Sequence, residues 1–258
     1  RSGNGPMQAT RFPNAGYRVL LCVCGGIAAY KSAELVRRLR DAGAEVQVAM
    51  TEAAQRFVGA QTFQALSHRP VRTSLWDTQA EAAMGHLELA RWAQQVVVAP
   101  ATANTLAKLA HGLADDLVST LCLATTAPLL VAPAMNHVMW KHPATQANIA
   151  TLLARGVRMA GPDDGPLAEG ESGPGRMAEP AQIVMALETM AWVRCWRGCA
   201  SWSAPGRPMR TSIRPVSWAT AAAARWASRS PPKPPRVVPT WCWWPARCIW
   251  RPPPALRA

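Results

Sequence analysis

Apolar residues in this chain come in short, nearly unbroken runs that alternate with longer stretches of helical period. "YRVLLCV" (Tyr17–Val23) and "AEVQVAM" (Ala44–Met50) flank "GIAAYKSAELVRRLRDAG". In that middle stretch Ile27, Leu35 and Leu39 share one face, charges occupy the other, and Gly43 supplies a stop signal. The rhythm then repeats. "QQVVVAPA" predicts a strand, and "NTLAKLAHG" a helix ending at His111, where a positive charge suits the dipole. "DDLVSTLCLAT" predicts a helix, "APLLVAPA" a strand, "HPATQANIATLLARG" an amphipathic helix, "VRMAGP" a short strand and "EPAQIVMALETM" a last helix. Strands this apolar are buried on both faces, so the alternation predicts an α/β fold with a doubly wound, Rossmann-like parallel sheet.

Ligands of such sheets bind beyond the carboxyl ends of the strands, which directs attention to four loops. "CGGIAAYKS" puts Gly25-Gly26 at a strand-to-helix turn. Its free amides either hold a phosphate or reflect plain turn chemistry, since the spacing is neither GxGxxG nor a Walker motif. Thr51 follows the second strand and either adds a hydroxyl to a phosphate or caps the next turn. Thr102, Asn104 and Thr105 open a helix after a fully apolar strand, as caps or as ligand contacts. The fourth loop, "VAPAMNHVMW", crowds Met135, Met139 and Trp140 around Asn136, more than a helix cap requires.

Composition separates the two ends of the chain. Of 258 residues, those from Ala191 onward contain no Asp or Glu but 12 Lys and Arg, 9 of the 12 Trp and 12 of the 23 Pro. The remaining 16 basic residues face 15 acidic ones, so the formal charge of +13 belongs to the tail. Its Pro runs and missing periodicity do not build a base-stacking platform, which argues against a nucleic-acid partner. Cys195, Cys199, Cys242 and Cys248 have no zinc spacing, so no metal is expected. Neither a signal peptide nor an apolar run long enough to span a membrane is visible, and the cytoplasm is the default compartment. Residues 1–16 read as a disordered leader, with Met7 a plausible start, 17–188 as one domain, and 189–258 as a separate tail.

Two stretches carry a family resemblance. "GHLELARWAQQVVVAPATANTLAKLAHGLADDLVSTLCLAT" and "PLLVAPAMNHVMW" resemble the flavin-containing cysteine decarboxylases. Within that group they resemble the phosphopantothenoylcysteine decarboxylase half of bacterial bifunctional decarboxylase/ligases. "PATANT" is similar to the family's PASANT motif with Thr102 for Ser, and "PAMNHVMW" matches its PxMNxxMW motif.

The resemblance implies FMN held by Gly25, Gly26, Ile27, Thr51, Ala101, Thr102 and Thr105, and catalysis by His86 and Asn104. It further implies that Asn136 fixes the substrate carboxylate, with Met135 and Met139 as apolar walls. The implied reaction decarboxylates 4′-phospho-N-pantothenoylcysteine to 4′-phosphopantetheine in coenzyme A biosynthesis. The resemblance implies that FMN oxidises the cysteine CH₂–SH to a thioaldehyde with His86 as base, which gives the departing CO₂ an electron sink, and that the reduced flavin then returns both electrons to the resulting enethiol. Trimers or larger assemblies of trimers are implied, with sites shared between subunits.

One departure stands in "LAEGESGPGRM" (Leu167–Met177), where Glu169 occupies the place of the family's proton-donating Cys. The tail is another. As translated it lacks the ligase motifs, yet its permitted codons regrouped by one nucleotide spell ligase-like strings. It therefore reads as a frameshifted remnant of a ligase domain, without ligase activity. Two other functions fit the same motifs: a flavin-binding regulatory subunit without turnover, and a decarboxylase of peptidyl C-terminal cysteine.

Overall fold

A computed structural model describes residues 11–76, 85–166 and 172–200. The main sheet has five parallel strands in the order β2-β1-β3-β4-β5. They are β1 (Tyr17–Val23), β2 (Ala44–Met50), β3 (Gln95–Ala101), β4 (Leu129–Pro133) and β5 (Arg158–Met159). Helices cover both faces. The expected fold class is the observed one.

Period-two alternation sends strand residues to two cores. Val19, Leu21, Val23, Val48 and Val97 pack under α1 (Ala29–Asp41), α2 (Ala60–Ser67) and α8 (Pro180–Ala200), meeting Leu35, Leu39, Phe63, Ile183 and Leu187. Leu20, Cys22, Val96, Val98 and Val131 pack on the other side. There they meet α3 (His86–Trp92), α4 (Ala103–His111), α5 (Leu117–Ala124) and α7 (Pro143–Ala154) through Leu89, Leu106, Leu121 and Leu152. Each such side chain contributes about 1.5–3 kcal/mol on burial, which is why unbroken apolar runs select this sheet. A short helix, α6 (His137–Lys141), precedes α7.

Several features depart from expectation. Arg11–Gly16, read as part of a disordered leader, are packed: Phe12 is buried and stacks on Tyr17 with ring centroids 4.9 Å apart. Arg11 pairs with Glu188 at 2.9 Å, and its amide donates to Ala42 O. The last helix runs to Ala200 rather than stopping at Met190, because Ile183, Leu187 and Ala191 continue one buried stripe. Ile27 lies before α1 rather than on its core face and is 62% exposed. An antiparallel hairpin, β6 (Asp163–Pro166) with β7 (Ser172–Arg176), and helix α2 were not expected from the pattern. Short Gly- and Pro-rich strands carry no apolar alternation to betray them. The basic Trp- and Pro-rich segment beyond Ala200, read as a frameshifted remnant, lies outside the described residues, as do residues 1–10. Among the described residues no helix is long and apolar enough to cross a membrane.

Candidate functional site

Strand order reverses around β1, which has β2 on one side and β3 on the other, and this switch point opens a cleft of about 1040 Å³. Its volume is at the upper end of the roughly 300–1,000 Å³ usual for ligand pockets. Gly25, Gly26 and Ile27 line it from the β1–α1 loop, Thr51 from the end of β2, and Thr102, Asn104 and Thr105 from the start of α4. Met135 and Asn136 close it from the β4–α6 loop and Met139 from α6. Ala101 is fully buried at the end of β3, where its carbonyl accepts from the Ala134 amide (3.0 Å) and so ties the third loop to the fourth.

Local chemistry explains each placement. A Cβ built on Gly25 would lie 2.5 Å from Ala53 Cβ and 2.9 Å from the Ala53 carbonyl carbon, so only glycine lets the first two loops touch. The amides of Gly26, Ile27 and Ala28 have no acceptor among the described residues and face the start of α1. Thr51 Oγ1 accepts from the Ala54 amide (3.2 Å) and Thr102 Oγ1 from the Thr105 amide (3.2 Å). Both threonines therefore cap a turn and line the cleft at once. Asn136 caps α6, its Oδ1 accepting from the Val138 amide at 2.8 Å. Trp140, in contrast, packs against the second core and is not among the cleft-lining residues.

His86 opens α3, half-buried, and does not line this chain's cleft. Glu169 lies outside the described residues. Among those described, no His, Cys, Asp and Glu cluster has the makings of a metal site.

The model of the Flavoprotein family matches residues 8–191. The chain belongs to that family.

Relatives sharpen the comparison. The flavoprotein is 50% identical over 206 residues to the coenzyme A biosynthesis bifunctional protein CoaBC of Vibrio vulnificus (strain YJ016), covering 80% of this chain and 51% of that one. It thus spans about half the length of the curated relatives it matches. A solved structure of a mutant PPC decarboxylase complexed with pantothenoylaminoethenethiol is similar at TM-score 0.60 and 34% identity, covering 69% of this chain and 99% of that one. The FMN binding protein AtHal3 is similar at TM-score 0.57 and 34% identity, covering 67% and 95%.

Sequence reasoning missed the charged lining of the flavoprotein's cleft. Lys31 is buried, and its Nζ donates to Met177 O (3.2 Å) and Glu179 Oε1 (3.0 Å). It joins α1 to the segment after β7, whose Gly175 O in turn accepts from the Met135 amide at 2.9 Å. A signal was present, since Lys31 interrupts the stripe that runs through Leu35 and Leu39. Lys108 Nζ pairs with Asp115 (2.8 Å) and Asp116 (2.7 Å), and Asp116 caps α5 in a capping box with Ser119. Burial pushes the Asp116 carboxyl up, but Lys108 and the Ser119 groups outweigh it and hold it below the usual range. Cys24, on the cleft floor, is pushed up to about 12 by burial, so it remains a thiol at neutral pH.

The Lys31 latch has a testable pH dependence. Lys31 donates to Glu179 and thereby lowers its pKa; slight burial opposes, and the Lys31 and Arg176 charges add to the lowering. A carboxyl lowered in the fold stabilises above its unfolded pKa, and that contribution disappears as pH falls through the folded one. Protection of the β6–β7 amides, read as hydrogen exchange relative to each amide's intrinsic rate, should therefore fall as pH drops below about 4. In Lys31→Met the same amides should be less protected already at neutral pH, and the step in acid should shrink to what the Arg176–Glu179 pair still supplies.

Proposed function

We propose that this flavoprotein binds FMN and decarboxylates 4′-phospho-N-pantothenoylcysteine to 4′-phosphopantetheine, a step of coenzyme A biosynthesis. One observation carries the reading: the glycine turn, the capped start of α4 and the Met135–Asn136–Met139 loop line a single cleft. The residues fit a flavin nucleotide. Open amides at the start of α1 suit its phosphate, the exposed Ile27 suits an aromatic ring, and Gly25 removes the Cβ that would push the two cradle loops apart. FMN, when bound, supplies the two-electron acceptor that gives the departing carboxylate an electron sink.

The chain's own residues hold and shield the substrate. With its Oδ1 committed to the Val138 amide, Asn136 has a fixed orientation, and its Nδ2 is the donating end for the substrate carboxylate. Met135 and Met139 exclude water from that carboxylate, which strengthens the contact. Asn104 stands exposed at the start of α4 to orient the reacting cysteinyl group.

His86 is the base that takes the proton, and it reaches the cleft of a neighbouring subunit in a homotrimer, since it lies away from its own. Mixing inactive His86→Asn with inactive Asn136→Asp and letting subunits exchange should restore part of the wild-type rate. No recovery in verified hetero-oligomers would remove the shared site. The function itself is tested by supplying the purified chain with FMN and phosphopantothenoylcysteine. CO₂ and 4′-phosphopantetheine should form in equal amounts, and flavin-loaded protein that releases no CO₂ would end the reading.

A further inference from the structure

Among the described residues four cations line the cleft: Lys31, Arg56, Lys108 and Arg176. Three are committed to other groups. Lys31 serves Met177 O and Glu179, Lys108 serves two aspartates, and Arg176 pairs with Glu179 at 2.7 Å. Arg56 makes no hydrogen bond or ion pair with any described residue, and it is exposed. Glu52, Asp115 and Asp116 also line the cleft, yet none of them pairs with Arg56, which leaves its guanidinium an unspent charge.

Its placement is rigid at the backbone. Arg56 ends the 3₁₀ turn Ala53–Arg56, which begins beside Thr51 and is tied by the Ala54 amide to Thr51 Oγ1. Ala53 of the same turn fills the space that a Gly25 side chain would need. Arg56 therefore rises from the same edge as the Gly25–Gly26 turn and its open amides. Neutral amides orient an anion but do not neutralise a dianion, and a guanidinium matches two phosphate oxygens at once.

We infer that Arg56 is the countercharge for a phosphomonoester bound at this edge, and so a residue that selects phosphorylated over unphosphorylated ligands. The inference rests on the function proposed above, which brings two phosphomonoesters to the cleft, one on FMN and one on the substrate. Their shared chemistry is a terminal phosphate dianion.

Full-length wild type, Arg56→Gln and Arg56→Lys distinguish the sources. Flavin titrations followed by fluorescence compare FMN with riboflavin, which lacks the phosphate. CO₂ release at saturating FMN compares phosphopantothenoylcysteine with its dephosphorylated form. If the flavin phosphate is the partner, Arg56→Gln loses about 10- to 100-fold in FMN affinity, riboflavin binding is unchanged, and Arg56→Lys recovers most of the loss. If the substrate phosphate is the partner, KM rises by a similar factor for the phosphorylated substrate alone. Equal changes within both pairs, or no change in either, overturn the assignment. Wild type that takes up neither flavin ends the flavin reading itself, and Arg56's role with it, a result visible before any variant is made.

Discussion

Asn136→Asp is expected to cut CO₂ release by about 10²- to 10³-fold while flavin uptake stays at the wild-type level. Asp is as good an N-cap as Asn, so the Oδ1 contact with the Val138 amide survives and α6 keeps its start. What changes is the other end of the side chain. Nδ2, a donor, becomes a carboxylate oxygen, which repels the substrate carboxylate in a cleft partly walled by Met135 and Met139. Loss of a charge-assisted hydrogen bond with like-charge repulsion is worth about 3–4 kcal/mol, which is that rate factor. Steady-state CO₂ release and flavin fluorescence on the same samples separate the two effects. Undiminished turnover in a correctly folded Asn136→Asp protein would take the carboxylate away from this residue.

Gly25→Ala is expected to cost at least about tenfold in flavin affinity and to lower the melting temperature. The new Cβ would fall against Ala53 Cβ and its carbonyl carbon, so the 3₁₀ turn has to move. Such overpacking costs about 1–3 kcal/mol. The displaced turn also carries the Thr51–Ala54 contact, so the cradle loosens on two sides. Gly26→Ala is the built-in comparison, since a Cβ there meets nothing nearer than Thr102 Cγ2 at 3.9 Å. Its melting temperature should match wild type. Adding Ala53→Gly to Gly25→Ala should restore part of the lost stability, because it removes one of the two close contacts and leaves the backbone one. Equal melting of Gly25→Ala and wild type would mean that the two loops do not pack as described.

Sequence pattern and tertiary structure contributed different things, and particular residues show why. Tyr17–Val23 and Ala44–Met50 were legible to the residue, because a parallel strand buried on both faces is almost wholly apolar, here broken only by Arg18, Glu45 and Gln47. Gly43 and Gly112 marked helix ends because both sit at positive φ, which glycine adopts without strain. The expected helix end at Met190 failed because the buried stripe continues through Ala191, one alanine too weak to register as a period. The leader failed at Phe12 because a single aromatic has no periodicity at all; only its stack on Tyr17 gives it a place.

At the site, the amino-acid sequence by itself determined which loops would gather and which residues they would carry. The strand order of a doubly wound sheet brings β1, β2, β3 and β4 to one edge whatever the details. Only the tertiary structure decided the charges. Lys31 reaches across the fold to Met177 O and Glu179, Lys108 and Arg176 turn to carboxylates a few residues along the chain, Arg56 pairs with no described group, and His86 does not line its own cleft. Burial of apolar runs is written in local order along the chain, whereas a pairing such as Lys31 with Glu179 depends on a distance between segments that meet only once the chain has folded.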